Sequence, residues 1–189
     1  MNKFKQTLLA VINASVWTYK DCCTLLFNIL HSPQLVTCVL ANRITHRNNL
    51  QVSLCRSRFK WCRIGITGIN NSLVIEDGCN FSGLKVGLRM GGVKCCLSTI
   101  NASANRRVYI GVSDGCNVVM GRGCLLSDNI HIHTTDYHPV YDCNGERINP
   151  PSDIIIGNNV WICKDVMINK GTYIPDGCIV GARALVNKK

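Results

Sequence analysis

Aromatic residues make up only 6% of this 189-residue chain, and acidic side chains are few, 11 against 21 Lys and Arg. With so few rings, no stretch interleaves aromatic and basic residues in the manner of an RNA- or DNA-binding module, so nucleic acid is not an expected partner. The shortage of acids leaves a formal net charge of +10, which points instead to phosphorylated small molecules or a membrane surface. Long apolar runs are lacking too. Residues 7–17 follow Lys3 and Lys5 and faintly resemble a signal peptide, but no convincing cleavage site comes after them. Asn13, Lys20, Asp21 and Asn28 interrupt the stretch, and His31-Ser32-Pro33-Gln34 ends it short of the ~18 residues a membrane helix needs. Residues 1–60 are therefore expected to be helical or irregular, packed on a subunit or lying on a membrane surface, with a secretory or membrane segment as the weaker alternative.

No CxxC pair occurs although there are 13 cysteines. An odd number without paired spacing argues against a disulfide framework. Cys79, Cys116, Cys124 and Cys178 fall at positions where a reduced thiol serves as a small hydrophobe, which predicts a reducing, cytoplasmic setting. Cys22-Cys23 and Cys95-Cys96 suggest nothing beyond packing. Asn80 and Asn101 head glycosylation triplets, a pattern too common to carry weight.

What the chain does have is a beat of six. Ile156, Ile162, Ile168, Ile174, Val180 and Val186 recur in strict register, with a smaller residue four places on at Val160, Val166, Thr172, Cys178 and Ala184. That period fits neither an α-helix nor an alternating strand, but it is a sign of a parallel β-helix. One hexapeptide cannot bury its own aliphatic residue, so repeats must stack. With three per turn, Ile156 should lie on Ile174, Ile162 on Val180 and Ile168 on Val186. Asn158, Asn159, Gly171, Asp176 and Gly177 suit the corners.

Upstream the beat is patchier. Residues 43–60 are basic and without period, and read as a lead-in. The repeat starts near Ile69 and continues through Ile75 and Phe81, with Leu73 and Cys79 inside. Residues 86–107 keep no register, which predicts an irregular coil or bulging loop. The beat resumes at Val112 with Cys116, slips by two residues, and runs through Met120, Leu126 and Ile132, with Cys124 and Ile130 inside. The fold expected is all-β, a parallel β-helix over 61–189, which the resemblance described below makes left-handed, with a loop inserted at 133–153. Loops of that length in a compact repeat are uncommon without a function. His131, His133 and His138 lie in or beside it, and each alone is as readily an outward strand or loop residue as a catalytic one.

The segments around His138-Pro139, Arg147-Ile148-Asn149-Pro150 and 156–162 resemble hexapeptide-repeat O-acetyltransferases. The likeness covers about 69–187 and is similar to the maltose and galactoside enzymes, and closer to those that acetylate capsular or other surface polysaccharides. It implies a trimer with acetyl-CoA and a sugar acceptor in a cleft between subunits, and no metal. Moving acetyl from a thioester to a hydroxyl needs a base, and histidine has the matching pKa. The resemblance makes His138 that base, with Asp136 or Asp128 as the carboxylate that holds its tautomer. It places a backbone N–H of Cys163 or Lys164 against the oxyanion. Cys163 stands where most relatives have glycine, and packing is a better reading of its thiol than nucleophilic attack. Trp161, outward if Ile162 is inward, would wall the pantetheine channel or sit at a subunit contact. Arg183, Lys188 and Lys189 would meet the CoA phosphates or form a solvated basic tail.

Two rival functions remain. His131, His133 and His138 supply the three histidines of a zinc hydratase resembling γ-type carbonic anhydrases. Alternatively, the unregistered stretch at 86–107, and a sequence ending three residues after Val186, suit an inactive hexapeptide protein with an assembly role.

Overall fold

The computed structural model describes residues 26–34, 36, 50–52, 57–67, 71–75, 78–89, 93–97, 107–113 and 115–187. Its strands are Leu50–Val52 (β1), Arg58–Lys60 (β2), Arg63–Thr67 (β3), Asn71–Ile75 (β4), Asn80–Ser82 (β5), Leu84–Arg89 (β6), Val93–Leu97 (β7), Val108–Ser113 (β8), Val118–Met120 (β9), Leu125–Leu126 (β10), Ile130–His133 (β11), Ile154–Ile156 (β12), Trp161–Ile162 (β13), Met167–Asn169 (β14), Tyr173–Ile174 (β15), Ile179–Val180 (β16) and Leu185–Val186 (β17). They stack as parallel ladders on the sides of a coil. One sheet runs β1-β4-β7-β9-β12-β15, a second β3-β6-β8-β11-β14-β17, and the shorter sheets are β10-β13-β16 and β2-β5.

The expected stacking holds in the upper coil: Ile156 pairs with Ile174, Ile162 with Val180 and Ile168 with Val186. Ile156, Val160, Ile162, Val166, Ile168 and Ile174 are buried, whereas Val180, Ala184 and Val186 are only partly so. Leu73, Ile75, Cys79, Phe81, Val112, Cys116, Met120, Cys124, Leu126, Ile130 and Ile132 also point inward, as the beat requires. Left-handed backbone marks the upper corners at the same interval, at Gly123, Asn129, Asn159, Asp165, Gly171, Gly177 and Arg183. Most of these are the residue types that tolerate it. Side-chain ladders tie one corner to the next, as where Asn158 donates from its backbone N to Asp176 Oδ1 at 2.7 Å and itself accepts from Arg122 N at 2.8 Å.

The lower coil corrects two expectations. Residues 86–107 are expected to be irregular, but β6 and β7 lie there in regular register with their neighbours; residues 90–92 and 98–106 fall outside the described residues. The lead-in at 43–60 holds β1 and β2, which pair with β4 and β5, so the coil reaches below Ile69 and across the boundary drawn at residue 61. The reason is corner length. Lys85 stacks on Arg63 and Val93 on Asn71, 22 residues apart, and Val108 stacks on Leu84, 24 apart. Longer corners leave each strand alternating inside and outside while the interval between strands departs from six.

Residues 26–31 are helical and close the bottom of the coil. One edge of β2 pairs with β5, and the other would leave Ser57 O, Phe59 N, Phe59 O and Trp61 N without partners. The helical segment supplies all four. Asn28 Nδ2 donates to Ser57 O at 2.8 Å, Phe59 N donates to Asn28 Oδ1 at 2.8 Å, Ser32 Oγ donates to Phe59 O at 2.9 Å and Trp61 N donates to His31 O at 2.8 Å. Asn28 is fully buried and Ser32 nearly so. The helix thus meets the coil through Asn28 and Ser32 as well as the apolar Ile29, and satisfies the backbone groups that a missing strand would have taken. Among the described residues, no helix is long and apolar enough to cross a membrane.

Candidate active site

Between β11 and β12 the chain leaves the coil at the corner joining the second sheet to the first. His131 pairs with Met167, 36 residues on, where one turn above needs only 18. The inserted loop folds on itself. Tyr141 bridges Arg147, and Ile148 N donates to Val140 O at 2.9 Å. At its tip Asp142 Oδ1 accepts from Asn144 N at 2.9 Å and Glu146 N at 2.8 Å, bonds that hold its carboxyl below the usual carboxylate range.

His138 is exposed on this loop, and its neighbours are pinned on both sides. Asp136 accepts from Lys170 Nζ and from Asn149 Nδ2 at 2.9 Å, and the lysine contact foremost keeps its carboxyl ionised to lower pH than usual. Asn149 Nδ2 also donates to His138 O at 2.8 Å, while Lys170 Nζ reaches Asn149 O at 3.1 Å. One lysine from the turn after β14 therefore clamps both ends of the histidine segment to the coil. Tyr137, with a left-handed φ of 65°, turns back over the second sheet, where its hydroxyl is hydrogen-bonded to His133 Nδ1 at 2.7 Å. The rings of Tyr109, His131, His133 and Tyr137 cluster there, with centroid spacings of 5.3 to 6.2 Å. Burial first, and then the neighbouring His131, push His133 below the ordinary histidine value, so its imidazole is neutral at pH 7.

This packing depends on a column of glycines. Gly65, Gly87, Gly111 and His133 stack in consecutive strands. A Cβ on Gly111 would lie 2.3 Å from the Tyr137 hydroxyl, so any larger residue must displace the tyrosine.

Trp161 projects outward from β13, 43% exposed, in line with Leu125 below and Ile179 above. That sheet is not part of the corner from which the loop departs. No protein-family profile matches the chain. Individual relatives do. Over 145 residues, 76% of its length, it is 30% identical to the polysialic acid O-acetyltransferase of Neisseria meningitidis, of which it spans 63%. Over 80 residues it is 39% identical to the galactoside O-acetyltransferase of Escherichia coli K12, covering 41% of this chain and 38% of that one. The crystal structure of the polysialic acid-specific acetyltransferase NeuO matches with a TM-score of 0.64 at 28% identity, over 75% of this chain and 59% of that one. The chain is a homologue of the hexapeptide-repeat O-acetyltransferases. It spans less than two thirds of the length of each relative named here. The parallel β-helix expected from the six-residue beat, left-handed by the resemblance, is the fold of these neighbours.

Within this acetyltransferase-like coil, the remaining candidates fall in distinct places. Cys163 N donates to Val180 O at 3.0 Å, so that N–H is engaged in the ladder. Of the two oxyanion candidates this favours Lys164, which lines a cavity of about 310 Å³ with Arg107, Asp128, Asn129 and Asp165. Asp128 Oδ1 is buried there without a hydrogen-bond partner among the described residues. Neither Asp128 nor Asp136 is hydrogen-bonded to the His138 ring: Asp136 is committed to Lys170 and Asn149, and Asp128 lies in the cavity. Arg183 is exposed at a left-handed corner, 3.9 Å from Asp165, and Lys188 lies outside the described residues. His131, His133 and His138 do not converge, and among the described residues no three potential ligands are placed to hold a metal ion.

Sequence reasoning missed Tyr137, Asn149, Lys170 and Gly111. Only Gly111 left a signal, through its spacing of 22 to 24 residues from Gly87 and Gly87's from Gly65, which matches the lower turns but not the hexapeptide.

Proposed function

We propose that this protein transfers an acetyl group from acetyl-CoA to a sugar hydroxyl of a surface polysaccharide. The observation that carries the reading is the loop, in which His138 stands exposed between pinned residues on a coil homologous to O-acetyltransferases. In this reading His138 removes the proton from the acceptor hydroxyl as its oxygen attacks the thioester carbonyl. The C–O ester bond forms, the C–S bond breaks, and the proton passes from His138 to the CoA sulfur. Lys164 N–H is the donor for the oxyanion, Trp161 walls the pantetheine, and Arg183 with Lys188 meets the phosphates. Asp136 acts by organising the loop rather than by touching the imidazole.

The unit is a homotrimer in this proposal. His138 leaves one corner of the coil while Trp161 faces out from the sheet that does not border it, so base and pantetheine wall would meet only when a neighbouring subunit supplies one of them. Its setting is the cytoplasm, at the inner face of the membrane, where a reduced set of buried thiols is expected to persist.

The test is release of CoA thiol from acetyl-CoA with sugar and oligosaccharide acceptors, corrected for the protein's own cysteines. His138→Ala should lower turnover by roughly 10²- to 10⁴-fold while the fold persists, and unchanged turnover removes His138 as base. Mixing inactive His138→Ala and Trp161→Ala subunits should restore up to about a quarter of wild-type activity, the share of subunit interfaces that keep both side chains in a random trimer.

A further inference from the structure

The helical cap at the bottom of the coil meets it through Asn28, Ser32 and the partly buried Ile29, and turns two leucines outward. Asn28 and Ser32, one helical turn apart, face the coil and are spent on the edge of β2. Leu26 and Leu30, also one turn apart, lie on the opposite face, 58% and 76% exposed. A surface helix ordinarily turns its leucines inward. Here two inward positions are spent on hydrogen bonding and Ile29 packs on the core, while the leucines remain exposed. Trp61, also 58% exposed, is tied to the end of the same helix through its backbone N, bonded to His31 O.

The stretch of sequence that carries this patch, bounded by Asp21 and by Glu76-Asp77, is basic. From residue 22 to residue 75 the chain has six Lys and Arg and no Asp or Glu. Three of the cations, Arg58, Lys60 and Arg63, flank the patch on β2 and β3, and Lys60 Nζ lies 4.3 Å from the centre of the Trp61 ring. Leucines and a tryptophan among basic residues are the side chains that insert at the boundary between headgroups and acyl chains of an anionic bilayer. A soluble polyanion would find the same cations but gains nothing from two exposed leucines.

We infer that the lower end of the coil is a membrane-docking surface, in which Leu26, Leu30 and Trp61 enter an anionic lipid surface and Arg58, Lys60 and Arg63 contact its headgroups. This rests on the placement at the inner membrane face proposed above and names the side chains responsible. It would hold the β-helix axis across the membrane plane, with the His138 loop several turns above the lipid.

The test is sedimentation of the full chain with vesicles of phosphatidylcholine containing about 30% phosphatidylglycerol, against phosphatidylcholine alone. The wild type should pellet with the anionic vesicles and be released by salt. Leu26→Gln/Leu30→Gln and, separately, Lys60→Glu/Arg63→Glu should each weaken binding by about tenfold or more. Both pairs are surface changes, and acetyl transfer to a soluble acceptor, measured alongside, should be unaffected. Three results overturn the inference. Variants that bind like the wild type would leave membrane contact possible but not here. A wild type that ignores anionic vesicles would remove the membrane placement as well. Loss with the charge reversals only, together with equal retention on heparin, would mark a polyanion site in place of a lipid one.

Discussion

Replacing Gly111 with alanine tests the link between the coil and the loop proposed to carry the base. The added methyl would sit 2.3 Å from the Tyr137 hydroxyl, and 3.1 Å from both His133 Nδ1 and Tyr109 Cε1. The hydroxyl must retreat by about 1 Å to reach ordinary contact distance, which breaks its 2.7 Å bond to His133. Tyr137 is 40% exposed and can swing outward, so relief is cheap and the stability cost is close to that of the lost bond, about 1 kcal/mol. The effect on catalysis should be larger. His138, the proposed base, follows Tyr137 directly, and for a base a displacement of about 1 Å costs on the order of 10²-fold in rate. Gly111→Ala should therefore lower kcat some 10- to 100-fold and leave KM for acetyl-CoA nearly unchanged. Urea unfolding and thiol release would be measured on the same preparations. In a Tyr137→Phe background the hydroxyl is already gone, so the added methyl should have little further effect on turnover. Equal losses in both backgrounds, or full turnover in Gly111→Ala, would refute the idea that this contact positions the loop.

Asn28→Ala removes the side-chain hydrogen bonds to Phe59 N and Ser57 O, and at about 1 to 3 kcal/mol for each it should destabilise the fold by ~2 to 6 kcal/mol in denaturant unfolding; a loss below about 1 kcal/mol would mean that water reaches the β2 edge. Ile162→Asp places a charge in the core where Ile162 is wholly buried, and it should cost several kcal/mol, on the order of a buried unpaired charge, with an unchanged melting curve as the disproof. His133 titrates below its ordinary value of 6.5 in the folded chain. As pH falls below about 6.5 the unfolded state takes up a proton that the folded state refuses, so stability should decline until pH reaches the lower folded value and level off beneath it. His133→Gln should flatten that part of the profile of unfolding midpoint against pH, and an unaltered profile would assign the dependence to other groups.

The upper coil was readable from residues 154–186 because its corners are short and uniform. With one left-handed residue every six, inward aliphatics and outward residues recur at a fixed interval, and burial is written directly into the sequence. The lower coil obeys the same in-and-out rule within each strand, yet its turns are 22 to 24 residues long, and a reader who expects six sees only a broken register. Gly65, Gly87 and Gly111 keep the longer interval, which no aliphatic column displays as plainly. The loop was visible as an interruption of the beat and His138 as its one histidine before a proline. Which groups hold that histidine was not visible: Lys170 comes from the turn after β14 and Gly111 from β8, and their distances from His138 along the chain follow no local pattern.

The sequence by itself determined the parallel coil, the direction of its core side chains and the place where the loop departs, since these follow from side-chain size and turn chemistry repeated at short range. Only the tertiary structure decided how far down the coil extends, what closes its lower edge, and how the loop is clamped. Those depend on contacts between residues 20 to 40 apart, such as Asn28 with Phe59, Gly111 with Tyr137, and Asp136 with Lys170. A hydrogen bond across such a separation requires the chain to be folded before the partners meet, so nothing in the local order of residues announces it.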